Sequence, residues 1–309
     1  MDPQVKALLE FMAASAAGAP KMTELPAAVA RANTEVGFAA FNAGAPEIGS
    51  IVDRTIPGPG GEIPVKIFTP KGEGPFPLLV YIHGGGWVIM SPDTHAKLCA
   101  ELAEGAGVVI VSPHYRLAPE NLPPAQLDDC MATVHWAVKH AAELNADGSR
   151  FAIGGDSAGG NLAAAACLRL RDEGGPTPRL QLLLYAALLL DPDTESSKVN
   201  ADAQILSRET MVWFINHYLS GGAKTSDPYI APINGDLHGL PPARLIVGTL
   251  DPLMDDSKAY AAKLKAAGVP AALSIYEDMP HVFLQLSAML DGGQKGVAEA
   301  CGALREALA

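Results

Sequence analysis

The chain has 309 residues, of which 49% are hydrophobic, and its 34 acidic and 22 basic residues give a formal net charge of −12. This length allows one large domain or two small ones, with enough apolar residues for a substantial core. The negative charge argues against nucleic acid and anionic membrane surfaces as partners, because both attract basic proteins.

The N-terminal segment is predicted to be helical over about residues 1–45, with breaks at Gly18-Ala19-Pro20 and at Pro26. Only Lys6 is basic in its first part, and the apolar residues there have helical spacing, so a signal peptide is not favoured. The longest apolar run, Leu182 to Leu190, is too short to span a bilayer. We therefore expect no membrane span and a cytoplasmic location.

A hairpin and a series of buried strands are predicted next. Ile51–Ile56 and Ile63–Phe68 flank a turn rich in proline and glycine, and Pro64 suggests an edge strand. Short apolar runs typical of buried parallel strands then alternate with helical patterns. These runs are Leu78–Ile82, Val108–Val111, Phe151–Ile153, Leu180–Tyr185, Leu245–Gly248 and Leu273–Tyr276.

The clearest helical pattern is Asp128–Asn145, where apolar residues recur every three or four positions. His135 and His140 lie off that apolar face and are expected to be solvated. Lys258–Ala267 is a second helix, closed by Gly268. Alternating strands and helices predict an α/β fold: a mostly parallel central sheet with helices on both faces and site residues at the carboxyl ends of strands.

The segment Asp191 to Asp227 breaks this alternation. It contains a helical pattern, Arg208–Leu219, with several large apolar side chains. We interpret it as an insertion that forms a helical cap together with the N-terminal helices. The prediction is a single domain over residues 1–309, with a cap made of about residues 1–47 and about residues 191–227.

The four cysteines are widely separated and lack the spacing of a metal site. They are Cys99, Cys130, Cys167 and Cys301. Cys130 and Cys167 fall in helical patterns with apolar neighbours, so we expect buried, inert thiols.

The most informative motif is Gly155-Asp156-Ser157-Ala158-Gly159. An apolar run precedes it and a helix-forming segment, Asn161–Arg171, follows, which predicts a strand, a sharp turn and a helix with the serine at the apex. Such a turn strains the serine backbone and exposes its hydroxyl, while the glycines avoid Cβ collisions. A chance match is expected in about one such chain in seven, so a plain turn with Ser157 as helix N-cap stays open here.

A glycine loop, His83-Gly84-Gly85-Gly86-Trp87, directly follows the predicted strand Leu78–Ile82. Consecutive glycines let backbone N–H groups approach a reacting group, and with the N–H of Ala158 such a loop forms an oxyanion hole. All three glycines are candidate donors, and we favour Gly85 and Gly86. Both motifs together arise by chance on the order of once in a thousand chains, which favours a serine nucleophile.

A serine nucleophile needs an imidazole to take its proton, and on this architecture the order along the chain is Ser, Asp or Glu, His. Three of the eight histidines follow Ser157: His217, His238 and His281. His217 falls in the insertion and His238 in a loop before two prolines. His281 follows the predicted strand Leu273–Tyr276 and is the preferred base.

Asp251 is the preferred acid, because it directly follows the apolar segment Leu245 to Leu250, at the carboxyl end of that strand. A helix N-cap in Asp251-Pro252-Leu253 is the alternative role, and the two roles can coexist. Asp255 is the second candidate, whereas Asp278 is too close in sequence to His281 to be a good partner.

Tyr115-Arg116-Leu117-Ala118-Pro119-Glu120 follows a strand that ends at Ser112-Pro113. Arg116 and Glu120 are expected to form a buried ion pair that fixes this loop rather than to take part in chemistry.

Together these motifs resemble the hormone-sensitive lipase family of α/β-hydrolases, the bacterial family IV esterases. The resemblance covers about residues 48–309, and the motifs occur in the family's order. It implies an α/β-hydrolase fold with a helical cap and a carboxylesterase with the triad Ser157, Asp251 and His281. It also implies short-to-medium acyl esters as substrates and, as in many members, pairing into homodimers.

Two positions depart from the family's pattern. The family usually has Gly-Phe after its catalytic histidine, and this chain has Val282-Phe283. We expect a valine there only with a negative φ and room for its branched side chain, hence a variant loop that keeps the base. The position before Tyr115 is often aspartate and is His114 here, so local pairings carried over from relatives stay open.

We expect no metal and no organic cofactor, because the motifs that would bind them are absent. Candidates for lining the acyl and alcohol pockets, with core packing as the alternative, are Trp87, Ile89, Met90, Met211 and Phe214. An amidase or a deacetylase could use the same triad, since only the pocket differs. A non-catalytic ligand receptor is a further alternative, which the presence of all three triad residues disfavours.

Overall fold

The computed structural model describes all 309 residues except the side chains of residues 39 and 40. In the described chain one eight-stranded sheet has the order β1-β2-β4-β3-β5-β6-β7-β8. β2 runs antiparallel to both its neighbours, and all other pairs are parallel. The strands are Ser50–Gly58 (β1), Gly61–Thr69 (β2), Phe76–Ile82 (β3), Val109–Pro113 (β4), Ala146–Asp156 (β5), Gln181–Leu184 (β6), Ala243–Leu250 (β7) and Ala271–Pro280 (β8).

Helices cover both faces of this sheet, which confirms the predicted α/β fold class. Alternate residues of β3 enter different cores: Leu78 and Val80 pack on one face, and Leu79 and Tyr81 on the other. The helices are Pro3–Ser15 (α1), Ala27–Ala39 (α2), Ala96–Ala106 (α3), Ala125–Lys139 (α4), Ala158–Glu173 (α5), Glu195–Val199 (α6), Arg208–Tyr218 (α7), Met254–Ala266 (α8) and Asp291–Leu308 (α9).

The prediction that Pro64 marks an edge strand is wrong. β2 lies between β1 and β4, and β1 is the edge. Pro64 is tolerated because the β2–β4 ladder begins only at Val65, opposite Pro113. The carbonyl of Pro64 accepts a hydrogen bond from the N–H of His114, so the missing proline N–H falls beyond the end of the ladder.

The helix predicted over Asp128–Asn145 ends early. α4 stops at Lys139, and a short 3₁₀ helix, Ala141–Leu144, follows it. Asn145 then takes a left-handed conformation and leads into β5. His135 is exposed, and His140 bonds Glu143 at the surface. All four cysteines are buried.

The N-terminal helices and the segment between β6 and β7 meet above the carboxyl ends of the strands. Lys21 Nζ and Thr23 Oγ1 donate to the two carboxylate oxygens of Glu209 on α7, at 2.9 and 2.8 Å. Arg31 on α2 donates to the carbonyl of Val88 at 2.9 Å. Among the described residues, no helix is long and apolar enough to cross a membrane.

Candidate active site

Ser157 lies at the sharp turn between β5 and α5, with φ 53° and ψ −120°. A Cβ on Gly155 would collide with the carbonyl of Ile82, and one on Gly159 would collide with the carbonyls of Ile82 and His83. Only glycine therefore lets the turn approach β3 so closely. The Ser157 side chain makes no capping hydrogen bond to α5, so the alternative role as a side-chain N-cap does not hold.

His281 and Asp251 reach Ser157 from the ends of β8 and β7. His281 Nε2 lies 3.0 Å from Ser157 Oγ, and His281 Nδ1 lies 2.7 Å from Asp251 Oδ2. Asp251 is fully buried and His281 is almost so. The second oxygen of Asp251 accepts the N–H of Leu253 at 2.8 Å, and α8 begins only at Met254, so Asp251 closes a turn rather than capping the helix.

The other candidate acids and bases lie elsewhere. Asp255 Oδ2 accepts the N–H of Ser196 at 2.7 Å and pairs with Lys258. His217 bonds the carbonyl of Trp213 on α7, and His238 bonds Asp236 at the exposed surface.

The three glycines of the loop differ in hydrogen bonding and in backbone conformation. The N–H of Gly84, one of the three candidate oxyanion donors, already donates to Asp156 Oδ1 at 3.1 Å. Gly85 and Gly86 have φ values of 110° and 58°, which favour glycine. A Cβ on Gly86 would overlap the ring of Phe214, and one on Gly85 would overlap the carbonyl of Ile89. Ala158 is the first residue of α5, where an N–H has no partner within the helix.

Asp156, which our sequence reasoning missed, anchors the glycine loop from beneath. Besides Gly84, its buried carboxylate accepts from Tyr81 Oη at 2.9 Å and lies 3.2 Å from His95 Nε2. Burial, and then the charge of Asp156, raise the pKa of Tyr81 well above its usual range, so the phenol remains a donor. Its position directly before Ser157 was the only signal in the sequence.

Tyr185 is a second residue at the site that the sequence analysis did not predict. Its ring meets that of His281 edge to face, with centroids 5.0 Å apart, and its φ is 37°. It follows β6 directly, at the same sheet edge as Ser157 and Asp251, which is the signal that could have found it.

The expected pairing of Arg116 with Glu120 is wrong. Arg116 forms a bidentate ion pair with the buried Asp129 of α4: Nε and Nη2 each donate to one carboxylate oxygen at 2.9 Å. Glu120 is half exposed and pairs with Arg31 of α2 at 2.8 Å. The loop is therefore held by ion pairs to α4 and α2 and not by an ion pair within the loop itself. Tyr115 stacks on His83, with centroids 4.3 Å apart.

Val282 also departs from expectation, because its φ is 57° rather than negative. The residue before it is held by Ser157 and Asp251, and its own carbonyl accepts the N–H of Gln285 at 2.9 Å. These bonds on both sides impose the left-handed conformation although the valine is β-branched.

Two cavities meet at Ser157. The first, which we name the Ala158 cavity, is bordered by Ala158 and by apolar side chains that include Trp87, Met211, Phe214, Leu190 and Leu206. The second, the His281 cavity, is bordered by His281, Val282 and Gly85, and by side chains that include Ile89, Met90, Phe214, Thr34 and Phe38. All five predicted pocket residues therefore border one cavity or both. Among the described residues, no cluster of three metal-binding side chains occurs.

Comparisons with known proteins identify the family. A family model described as the alpha/beta hydrolase fold matches residues 79–285. The carboxylic ester hydrolase LipN of Mycobacterium tuberculosis is 41% identical over 262 residues, which cover 82% of this chain and 70% of LipN. The ethyl acetate hydrolase of Pseudomonas putida is 31% identical over 100% of this chain and 99% of that protein.

A solved structure extends the match to the whole fold. The hyperthermophilic esterase of the archaeon Pyrobaculum calidifontis superposes with a TM-score of 0.93 at 34% identity, over 100% of this chain and 99% of that one. The chain therefore belongs to the α/β-hydrolase superfamily and, within it, to the hormone-sensitive lipase family of esterases.

Proposed function

We propose that this protein is a serine carboxylesterase with Ser157 as nucleophile, His281 as general base and Asp251 as the acid that orients the imidazole. The observation that carries the proposal is the continuous path from Ser157 Oγ to His281 Nε2 at 3.0 Å and from His281 Nδ1 to Asp251 at 2.7 Å. Relatives named as ester hydrolases support the same reaction class.

In the proposed mechanism, Ser157 Oγ gives its proton to His281 and attacks the ester carbonyl carbon. His281 then returns the proton to the leaving alcohol, and the acyl group stays bound to Ser157. A water molecule, deprotonated by His281, attacks the acyl-enzyme, and His281 then returns that proton to Ser157 Oγ as the bond to the acyl carbon breaks and the acid is released. Asp251 holds the imidazole in the tautomer with hydrogen on Nδ1 and stabilises the imidazolium after each proton transfer.

The proposed oxyanion hole consists of the N–H groups of Gly85, Gly86 and Ala158. Gly84 is left out because its N–H already donates to Asp156. Backbone donors fixed before the reaction stabilise the developing negative charge without reorganisation, and each is typically worth about 3–4 kcal/mol.

We infer that acyl groups bind in the Ala158 cavity and that they are short to medium in length. Its apolar lining suits an alkyl chain, and the cap side chains Leu206, Met211 and Phe214 limit its depth. The name of the Pseudomonas putida relative, an ethyl acetate hydrolase, agrees with small acyl groups.

An amidase or deacetylase with the same triad is the alternative, and no contact in the site favours it. The two differ in what the pocket binds, because the acyl-transfer chemistry is shared.

One substrate panel tests the proposal. p-Nitrophenyl esters from acetate to laurate, together with a p-nitroanilide, are compared for the wild type, Ser157→Ala and the control Ser149→Ala, which alters only a surface turn near the start of β5. We expect ester turnover by the wild type and the control, falling with longer acyl chains, and covalent capture of Ser157 by a fluorophosphonate. Unchanged turnover in Ser157→Ala contradicts the proposal, and faster anilide cleavage favours the amidase.

A further inference from the structure

Val282 combines a costly backbone conformation with a buried side chain at the reacting centre. A left-handed φ of 57° is unfavourable for a non-glycine residue, and more so for a β-branched one, whereas glycine adopts it freely. The valine is only 6% exposed, and it borders the His281 cavity next to the base itself. The isopropyl group therefore occupies space that a glycine in the same backbone would leave to the ligand.

The position of the base decides which part of an ester lies beside Val282. The leaving oxygen must receive its proton from His281 Nε2, so the alcohol lies on the side of Ser157 that His281 borders. The acyl chain, by the proposal above, lies in the Ala158 cavity, which His281 does not border. Val282 thus meets the alcohol group of the substrate and not its acyl chain.

We propose that Val282 determines which leaving alcohols the enzyme accepts, by excluding branched and aryl-substituted secondary alcohols. This inference rests on the proposed esterase function. Val282 acts by volume: it shares the lining of the His281 cavity with Ile89 and Met90, which are also buried, so a smaller residue at position 282 leaves more space for the alcohol group.

The experiment varies the alcohol while the acyl group stays constant. Hydrolysis of ethyl, 2-propyl and 1-phenylethyl butyrate is followed by acid release for the wild type and for Val282→Ile, Val282→Ala and Val282→Gly. Because kcat/KM includes every step up to loss of the alcohol, the ratio of kcat/KM for 1-phenylethyl to ethyl butyrate measures the alcohol site alone. We expect that ratio to rise about tenfold or more in the alanine and glycine variants and to fall in the isoleucine variant.

Matched controls separate this role from a structural one. Val297→Ala removes the same atoms from a buried valine of α9 and should leave the ratio unchanged. The acyl-chain profile of ethyl esters should also stay the same in all Val282 variants. Val282→Gly relieves the backbone strain, so it should fold at least as well as Val282→Ala.

A ratio that stays within twofold of the wild type in Val282→Ala and Val282→Gly, while ethyl butyrate is still hydrolysed, overturns this inference and leaves the esterase function standing. If the wild type hydrolyses none of these esters, or Ser157→Ala hydrolyses them equally well, the proposed function itself fails.

Discussion

At the scale of single residues, backbone strain is concentrated around Ser157, the proposed nucleophile. Eight described non-glycine residues have a positive φ, and six of them border the two cavities or touch His281: Trp87, Met90, Ser157, Tyr185, Leu190 and Val282. Each such residue costs on the order of 1–3 kcal/mol and persists only where neighbouring contacts fix it. The packing around the site therefore holds side chains and N–H groups in positions that a relaxed loop would not keep.

Gly85→Ala tests the glycine loop. The added Cβ would collide with the carbonyl of Ile89, and a φ of 110° is unfavourable for alanine, so the loop must shift. We expect kcat to fall by about 10²–10³-fold, as for loss of one oxyanion donor. Gly107→Ala is the control, since its φ of 67° is also left-handed but the added Cβ has open space among the described residues. Full activity of a folded Gly85→Ala variant would contradict the assignment.

Asp256 provides a prediction about pH and stability. Burial raises the pKa of its carboxyl to about 7, although the N–H groups of Leu188 and Leu189, at 2.8 and 2.9 Å, lower it. In the unfolded chain the carboxyl ionises near pH 4, so between about pH 4 and 7 the folded protein binds this proton more tightly. The stability that protonation of Asp256 contributes to the folded state is fully present below pH 4 and is lost as pH rises through 7.

Asp256→Asn removes that dependence, because the amide oxygen can still accept both N–H groups and cannot ionise. We compare the free energy of unfolding of Asp256→Asn with that of the wild type at each pH. We expect this difference to shift in favour of the variant by on the order of a few kcal/mol from pH 4.5 to pH 8. Urea denaturation at several pH values measures this difference. If the difference in free energy of unfolding between Asp256→Asn and the wild type does not change with pH, the Asp256 carboxyl does not titrate in this range.

At the scale of elements, α2 is held over the site by the side chains of Arg31 and Glu35, and Glu35 accepts from Ser91 Oγ at 2.9 Å. Arg31 donates to the carbonyls of Val88 and Ala118 at 2.9 and 3.1 Å and pairs with Glu120 at 2.8 Å. Thr34 and Phe38 of the same helix border the His281 cavity. The position of one wall of the cavity therefore depends on these contacts.

Arg31→Met keeps most of the aliphatic stem and removes the donors. We expect faster hydrogen exchange over α2 and a fall in kcat/KM on the order of tenfold, because a hydrogen bond to a charged group is worth about 1.5–3 kcal/mol. Arg54→Met is the control, since that arginine pairs with Glu143 away from the cap. Unchanged exchange over residues 27–38 would show that other contacts hold α2.

At the scale of the whole molecule, a buried ion cluster joins α3 to the loop that carries His281. Lys97, whose side chain is 3% exposed, donates to Glu101 at 2.7 Å and to the hydroxyl of Ser287. Ser287 Oγ in turn lies 2.9 Å from each carboxylate oxygen of Glu101. Residues almost 200 positions apart thus share one set of hydrogen bonds.

Glu101→Gln should destabilise the protein by about 3–5 kcal/mol, because it leaves the Lys97 ammonium buried without a carboxylate. The double variant Lys97→Met, Glu101→Leu removes both charges and should lose much less, and urea denaturation of both variants measures the difference. If the double variant is as unstable as Glu101→Gln, the cluster stabilises by packing and not by charge pairing.

Much of the fold could be predicted because its signals are local. The apolar runs that became β3 to β8 and the helical periods between them follow from residue spacing within one element. Element ends were less certain, as at α4, where Asn145 turns the chain only after a further 3₁₀ helix. The edge position predicted from Pro64 was wrong for a non-local reason. A missing N–H excludes a proline from an inner strand only where the neighbouring strand pairs with that residue, and the register of that pairing depends on tertiary structure.

The sequence by itself determined the order of the chemical groups: a glycine loop, a serine turn, an acid and a histidine, each at a strand end. That order is local information, because each motif fixes its own turn and the alternation of strands and helices brings the strand ends to one edge. Only the tertiary structure decided that the N–H of Gly84 belongs to Asp156, that Arg116 pairs with Asp129, and that Val282 stands in a left-handed conformation beside His281. The physical reason is that hydrogen bonds, ion pairs and strain depend on which remote groups meet, and spacing along the chain does not encode those distances.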